Sequence, residues 1–181
     1  MDQSTGNRKI YLIGMMGSGK SYWAGRLGHH YGLPAYDLDR LLETAGGKTI
    51  RQIFEADGEE AFRGMESDML QNGVPGKKYV LACGGGTPCF FDNMAFMKSH
   101  GIVVWLNPSI NELVRRVSRA VDTRPVLEGH QTPEALKEHL EKLILKRESW
   151  YRQAHIEIND DASVQSISEK ISLFESSRSD F

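Results

Sequence analysis

The 181-residue sequence has few of the features that mark metal sites and disulfide-rich proteins. Its two cysteines, Cys83 and Cys89, do not have the C-x-x-C spacing of a zinc site, so we expect two free thiols. Its six histidines are scattered without metal-ligand spacing, and we assign none of them a role. The sequence also shows no internal repeat and no low-complexity segment. These absences exclude a zinc domain and a disulfide scaffold.

Strong charge and long apolar runs are absent as well. The formal net charge is -2, from 22 basic and 24 acidic residues, so no global field attracts the chain to nucleic acid or to a membrane. The apolar run after Arg8 and Lys9 is too short and too interrupted by glycine for a secretory signal or a membrane span. We therefore expect a cytoplasmic monomer without nucleic-acid or membrane partners.

The length and composition suit one domain, residues 1–181 with a core at about 8–175, because 40% of the residues are hydrophobic and 25% are charged. Short apolar runs alternate with segments of helical spacing, which predicts a parallel sheet covered by helices. The predicted strands span residues 10–13, 34–36, 79–82, 102–106 and 156–158. The predicted helices span residues 21–31, 39–44, 50–56, 59–71, 92–100, 109–120, 133–151 and 163–174.

Two segments fit poorly into a simple alternation of strands and helices. Residues 37–72 lie within a stretch between the second and third strands that is longer than a simple crossover needs, which predicts a substrate-binding insertion. Residues 121–132 show no clear periodicity, and we expect them to form a lid over an active site.

The most specific motif is GMMGSGKS at residues 14–21, which fills every fixed position of the phosphate-binding pattern G-x-x-x-x-G-K-[S/T]. An apolar run at residues 9–13 precedes it and a helical segment follows it, as the pattern requires. Glycines let backbone N–H groups turn toward a phosphate, and the helix N-terminus adds partial positive charge. The motif therefore predicts nucleoside triphosphate binding.

The motif also predicts the roles of its side chains. Backbone amides of Gly17, Ser18, Gly19 and Lys20 would surround the β-phosphate, and the Lys20 ammonium would reach the β- and γ-phosphates. The Ser21 hydroxyl would occupy a magnesium coordination position, so Mg²⁺ is the expected cofactor.

Asp37 and Asp39 follow the second predicted strand, at the edge where open α/β sheets bind their ligands. Alternate residues of an extended segment point the same way. One carboxylate could serve the magnesium shell while the other orients a substrate hydroxyl or accepts its proton. Either residue could also cap the next helix.

Two further patterns suggest an anion-binding site near the sheet. Arg63 and Glu66 share one helix face, where Glu66 can orient the guanidinium toward a planar anion; a solvated ion pair is the alternative. Residues 84–86 are three consecutive glycines directly after the third strand, where backbone can approach a small ligand closely. Arg124 in the expected lid suits a phosphate, and Arg147 suits an anionic substrate group.

Together these motifs resemble the shikimate kinase family, and the likeness runs from about residue 9 to about residue 160. It is carried by GMMGSGKS at 14–21, Asp-Leu-Asp at 37–39, Phe-Arg-x-x-Glu at 62–66, the triple glycine at 84–86 and Arg-Pro at 124–125. The resemblance implies a P-loop fold of the nucleoside-monophosphate-kinase type with strand order 2-3-1-4-5. It also implies transfer of the ATP γ-phosphoryl group to the 3-hydroxyl of shikimate in aromatic amino acid biosynthesis.

The resemblance further implies individual roles. Asp39 would bind the ring hydroxyls of shikimate and act as base, while Arg63 and Arg147 would pair with its carboxylate. Gly85 would touch it through backbone. The supporting residues of the shikimate site would be Phe62, Glu66, Gly84 and Gly86. The ATP site would comprise residues 17–22, Tyr22 included, and Arg124, which would neutralise charge on the transferred phosphoryl group. Asp37 would hold Mg²⁺ through water behind Ser21.

Two other functions remain possible from the sequence. One is another small-molecule kinase of the same fold, such as a gluconate kinase or a nucleotide kinase. The other is a P-loop protein that uses nucleotide as a conformational switch without phosphorylating a metabolite.

Overall fold

A computed structural model of the protein describes residues 8–119, 132–160 and 162–179. Its strands form one parallel five-stranded sheet in the order β2-β3-β1-β4-β5, as predicted. The strands are β1 Lys9–Ile13, β2 Ala35–Asp37, β3 Tyr79–Ala82, β4 Ile102–Leu106 and β5 Ile156–Ile158. The last three match their predicted bounds, and the first two are displaced by one residue at one or both ends.

Seven α-helices connect and flank these strands in the described residues: α1 Lys20–Tyr31, α2 Leu38–Gly46, α3 Ile50–Asp68, α4 Asn93–His100, α5 Ile110–Arg119, α6 Pro133–Tyr151 and α7 Val164–Ser179. Two of the predicted helices merge into α3, but Gly58 kinks it with a φ of 81° and a ψ of 171°. A π-helical turn, Met69–Gly73, and a 3-10 turn, Thr87–Cys89, were not predicted.

The core lies on both faces of the sheet because alternate residues of β1 point to opposite sides. On one face, Tyr11 and Ile13 belong to a buried cluster that includes side chains of α4, α5 and α6. On the other face, Ile10 and Leu12 pack in a cluster with side chains of α1 and α7. β1 is therefore fully covered, as its uninterrupted apolar sequence predicts.

The segment at residues 37–72 forms a small unit with its own apolar cluster. Leu42, Ile53 and Phe62 are buried together there, and Met69 packs against both this cluster and one of the clusters on the sheet. Thr49 begins α3 with a reciprocal capping box, in which it exchanges side-chain and backbone hydrogen bonds with Gln52. This unit occupies the predicted insertion, whose role in substrate binding stays a prediction.

Strand register brings three predicted site segments to one edge of the sheet. Ala82 of β3 is paired with Leu12 of β1 on one side and with Asp37 of β2 on the other. The segments that leave these three strands therefore start next to one another, at the carboxyl edge where α/β sheets bind ligands. Of the predicted lid, residues 121–131 and with them Arg124 lie outside the described residues. None of the described helices is long and apolar enough to cross a membrane.

Candidate active site

The phosphate loop between β1 and α1 requires glycine because of its backbone conformation and its close packing. Gly14, Gly17 and Gly19 have φ values of 139°, 79° and 91°, in the region that disfavours other residues. A Cβ on Gly17 would lie 2.6 Å from the Val117 Cγ2 atom of α5. Gly19 is also the N-cap residue of α1. The loop conformation therefore depends both on backbone freedom and on close packing against α5.

The polar groups of the loop are arranged around the start of α1. Lys20 Nζ donates to the carbonyl oxygens of Gly14 and Met15, both at 2.9 Å, which holds the ammonium over the loop. The Ser18 amide donates to Met15 O at 3.1 Å, so it closes a turn inside the loop, a detail the sequence did not indicate. The Tyr22 side chain is 60% exposed, so its backbone N–H in the first helical turn is the group suited to a phosphate.

Asp37 connects the phosphate loop to the second strand. Its Oδ2 atom accepts a hydrogen bond from the Ser21 hydroxyl at 2.5 Å, and its Oδ1 atom accepts from the backbone N–H of Asp39 at 3.1 Å. Asp37 is therefore the N-cap of α2, which resolves the alternative between the two aspartates as caps. The same contacts leave the Asp39 carboxylate available for another task.

The three glycines at residues 84–86 each approach a different predicted site residue. A Cβ on Gly84 would lie 2.5 Å from Glu66 Oε1 and 3.5 Å from Asp39 Oδ1. A Cβ on Gly85 would lie 3.1 Å from Arg147 Nη1, and one on Gly86 would lie 2.7 Å from Arg63 Nη2. Side chains at these positions would displace the groups that the motifs predict to meet the acceptor.

Gly85 also lies beside the phosphate loop, since a Cβ on it would be 3.5 Å from Gly14 O and 3.8 Å from Met16 N. We call residues 14–22 with Asp37 the donor half of the site. We call Asp39, Arg63, residues 84–86 and Arg147 the acceptor half. The two halves meet at Gly85, so a group held in one lies beside a group held in the other.

Arg63 is oriented by a buried carboxylate, as the i,i+3 spacing predicts. Arg63 Nη1 donates to Glu66 Oε2 at 2.8 Å, and Glu66 is completely buried while the Arg63 side chain is 11% exposed. Glu66 Oε1 accepts a second hydrogen bond from the Thr87 hydroxyl at 2.5 Å. This pair is therefore no solvated surface ion pair, since its carboxylate is fully removed from water.

Arg147 approaches the same place from α6. A Cβ on Gly85 would lie 3.1 Å from Arg147 Nη1 and one on Gly86 would lie 2.7 Å from Arg63 Nη2, so the two guanidinium groups lie beside adjacent glycines. One helical turn after Arg147, the buried Tyr151 hydroxyl donates to Gly85 O at 2.6 Å. Two cations thus converge beside the triple glycine, which suits a carboxylate ligand.

Asp39 lies at the open end of this arrangement. Asp39 is exposed to solvent. Desolvation by the surrounding protein, followed by the charges of Asp37 and Glu66, raises its pKa to about 6, although Lys20 acts in the opposite direction. A carboxylate with a pKa near the working pH is suited to accept a proton from a hydroxyl.

Sequence reasoning missed several side chains that contact the acceptor half, among them Glu59, Thr87, Phe90 and Tyr151. The i,i+4 spacing from Arg147 could have indicated Tyr151, because such residues share a helix face. No local pattern indicates Thr87 or Phe90, whose partners lie on α3. Both cysteines are free thiols, as predicted.

Comparison with known proteins identifies the family. A shikimate kinase family model matches residues 16–174. The chain belongs to the shikimate kinase family. The match covers both halves of the site except for the first residues of the phosphate loop.

Individual relatives agree with this family assignment. A shikimate kinase from Parabacteroides distasonis is 39% identical over 149 residues, which cover 82% of this chain and 86% of the relative. One from Bacteroides thetaiotaomicron is 34% identical over 174 residues, covering 91% of this chain and 99% of the relative.

Solved structures of shikimate kinases have the same architecture. The one from Bacteroides thetaiotaomicron has a TM-score of 0.81 at 33% identity, covering 93% of this chain and 97% of that chain. The one from Acinetobacter baumannii in complex with shikimate has a TM-score of 0.80 at 33% identity, covering 94% of each chain. The predicted family, P-loop fold and enzyme class are confirmed.

Proposed function

We propose that this protein phosphorylates the 3-hydroxyl of shikimate with ATP, at the junction of the donor and acceptor halves. The observation that carries this proposal is the placement of residues 84–86, where a Cβ on each glycine would meet a different acceptor group and one on Gly85 would also meet the phosphate loop. Two substrates bound in the two halves would lie side by side. Phosphoryl transfer depends mainly on such positioning and on charge stabilisation.

In the donor half, backbone amides of Gly17 and of residues 19–22 and the Lys20 ammonium would bind the ATP phosphates, while the Ser18 amide closes the turn to Met15 O. The positive φ values of Gly17 and Gly19 and the N-terminus of α1 suit this role. Lys20 would exchange its two carbonyl partners for phosphate oxygens. Arg124 is expected to be the second cation on the transferred phosphoryl group. This role stays a prediction from the sequence, because Arg124 lies outside the described residues.

The donor half also fits Mg²⁺. The Ser21 hydroxyl and the Asp37 carboxylate are adjacent hard oxygen donors, and the described residues hold no cluster of three or more acidic, histidine or cysteine side chains that could form a closed cage. Magnesium usually keeps several waters and takes only one or two protein ligands, so this pair matches it. When bound, Mg²⁺ would neutralise charge on the ATP phosphates; Ser21 would coordinate it directly and Asp37 through water.

In the acceptor half, Arg63 and Arg147 would bind the carboxylate of shikimate, with Phe62, Glu66, Gly84 and Gly86 supporting them. Gly85 would contact the ring through its backbone. Asp39 would orient the 3-hydroxyl and accept its proton as the oxygen attacks the γ-phosphorus, and ADP would leave from the donor half. A pKa of about 6 keeps Asp39 mostly ionised at neutral pH, as this step requires.

The domain organisation, the cytoplasmic location and the monomeric state remain proposals beside this function. We propose one domain, residues 1–181, in which residues 37–72 contribute to shikimate binding and residues 121–132 close over ATP.

The deciding experiment is ADP release with ATP and Mg²⁺ in the presence of shikimate, gluconate, a nucleoside monophosphate or no acceptor. We expect ADP release that depends on shikimate and stops when Mg²⁺ is chelated. A Lys20→Met variant, purified in the same way, controls for contaminating kinases and should be inactive. Stimulation by gluconate or by the nucleotide would favour another kinase of this fold, and acceptor-independent binding without turnover would favour a switch.

A further inference from the structure

The 3-10 turn after the triple glycine contacts Arg63 in two ways that the sequence motifs do not include. Thr87 is completely buried, and its hydroxyl donates to the Glu66 oxygen that does not bind Arg63. Phe90, the residue that ends the turn, has its ring centroid 4.5 Å from the Arg63 guanidinium carbon. The turn therefore reaches Arg63 both through Glu66 and directly.

Burial makes the Thr87 hydrogen bond important for the orientation of Glu66. A carboxylate that is completely removed from water needs a donor at each oxygen. Glu66 has Arg63 at Oε2 and Thr87 at Oε1. Without the Thr87 hydroxyl, Oε1 would lose this donor. Rotation of the carboxylate would then be favourable, because it would let both oxygens accept hydrogen bonds from Arg63. The guanidinium would then leave its position beside Gly86.

Thr87 is itself held in place by a closed set of hydrogen bonds. Its carbonyl oxygen accepts from Asn93 Nδ2 at 3.0 Å, and Asn93 Oδ1 accepts from the Ser67 hydroxyl at 2.8 Å. Ser67 follows Glu66 directly on α3, so the chain of contacts returns to the helix that carries Arg63. All of these side chains are buried. Such a fully satisfied network favours one arrangement of its members.

Phe90 restricts the guanidinium from another contact. A cation over an aromatic ring at this distance is attracted to the ring face. Gly86 leaves room for the same guanidinium, because a Cβ there would lie 2.7 Å from Nη2. The Phe90 ring and the Gly86 backbone belong to one short segment, so moving this segment would move both contacts together.

We infer that Thr87 and Phe90 are positioning residues that aim the Arg63 guanidinium at the carboxylate of the acceptor. The inference rests on the proposed function, since it assigns Arg63 a carboxylate ligand. Neither residue touches the reacting atoms. Their contribution lies in selectivity for an acceptor that carries a carboxylate, which is a property that stability alone does not change.

The test uses the nearly isosteric Thr87→Val and the hydroxyl-retaining Thr87→Ser, each assayed with shikimate and with shikimate methyl ester, whose carboxylate is masked. For Thr87→Val we expect the KM for shikimate to rise by about 10- to 100-fold, from the loss of a hydrogen bond to a charged group. The KM for ATP and the kcat/KM for the ester should stay within about twofold of wild type. Thr87→Ser should restore the shikimate KM.

Two variants of Phe90, which lies outside the hydrogen-bond network, repeat the test. Phe90→Leu should raise the KM for shikimate by about three- to fivefold, and Phe90→Tyr, which keeps a ring face, should not. Equal losses of kcat/KM with shikimate and with its ester would show a structural role and overturn the inference. Unchanged kinetics of both Thr87→Val and Phe90→Leu would overturn it as well. If Thr87→Val does not fold, the test is decided by Phe90→Leu, through its ratio of kcat/KM for shikimate to kcat/KM for the ester.

The wild-type control separates this inference from the proposed function. Wild-type protein that releases no ADP with shikimate would overturn the proposed function and the inference with it. Active wild-type protein whose Thr87 and Phe90 variants keep the same preference for shikimate over the ester would overturn only the inference.

Discussion

In the donor half, one short segment of consecutive residues supplies most of the groups, and most of them are backbone atoms shaped by three glycines with positive φ. In the acceptor half, the groups are side chains from segments as far apart in sequence as Asp39 and Arg147. The first half works through the path of the chain, so an added Cβ disturbs it. The second works through charged side chains, of which Arg63 is paired with the buried Glu66, so deletion of a charge disturbs it. Substitutions in one half should therefore change the binding of one substrate and leave the binding of the other unchanged.

The largest expected effect comes from Asp39→Asn. The change removes the proposed proton acceptor and should lower kcat by about 10²- to 10⁴-fold, the usual contribution of a general base. ATP affinity, measured by calorimetry, should stay within about twofold, because the donor half keeps its groups. Asp68→Asn, which alters an exposed carboxylate on α3, is the matched control. Near-normal turnover of the Asp39 variant would remove this residue from the mechanism.

Arg63→Ala should break the acceptor half alone. Truncating one member of a buried charged pair costs about 2–5 kcal/mol, so the affinity for shikimate should fall by that amount. Affinity for ATP should barely change. Arg51→Ala, on the same helix, removes an exposed i,i+4 pair with Glu55 and should leave both affinities as they are. A variant of Arg63 with normal shikimate affinity would show that the carboxylate binds elsewhere.

Gly17→Ala should break the donor half alone. The residue would need a positive φ and would collide with Val117, at a cost of about 1–3 kcal/mol. We expect the KM for ATP to rise about tenfold and the melting temperature to fall, with shikimate affinity retained. Gly25→Ala, in open space on α1, should instead stabilise the protein slightly. Equal losses for both substrates would mean that the halves are not separable.

Gly86→Ala tests the close approach of backbone to Arg63. Gly86 has a φ of -91°, so alanine is not strained there, but its Cβ would push the guanidinium aside. We expect the KM for shikimate to rise by about five- to tenfold, or roughly 1 kcal/mol, with little change in melting temperature. Gly64→Ala, next to Arg63 in open space, is the control and should not change the KM.

The smallest effect concerns pH and stability in the absence of nucleotide and metal. The folded-state pKa of Asp39 is about 6, above its ordinary value of 3.8, so the charged form destabilises the fold at neutral pH. Asp39→Asn should therefore raise the melting temperature at pH 7.5, by about 1–2 °C because water screens an exposed group. The difference should shrink as pH falls through 6 and vanish near pH 4. A difference that grows at low pH would contradict the raised pKa.

The two halves also differ in how well the sequence predicted them. The donor half was predicted residue by residue because its motif is contiguous and its glycines are required locally. The Ser18 amide is the exception, since its bond to Met15 depends on the folded path of the loop. In the acceptor half, local patterns and the family resemblance indicated Arg63, Glu66 and the glycines, but neither could say that Glu66 would be completely buried. Burial depends on which elements pack over α3.

The sequence by itself determined where the strands and the phosphate loop lie, because apolar periodicity and short motifs are local properties of the chain, and its motifs together carried the resemblance to the family that implied the strand order. Only the tertiary structure decided that Asp37 caps α2 while Asp39 stays available, that Thr87 binds Glu66 while the Phe90 ring lies beside Arg63, and that Gly85 lies between the two halves. These contacts join residues that are distant in sequence. They are fixed by the parallel register, which sets Leu12 and Asp37 on either side of Ala82.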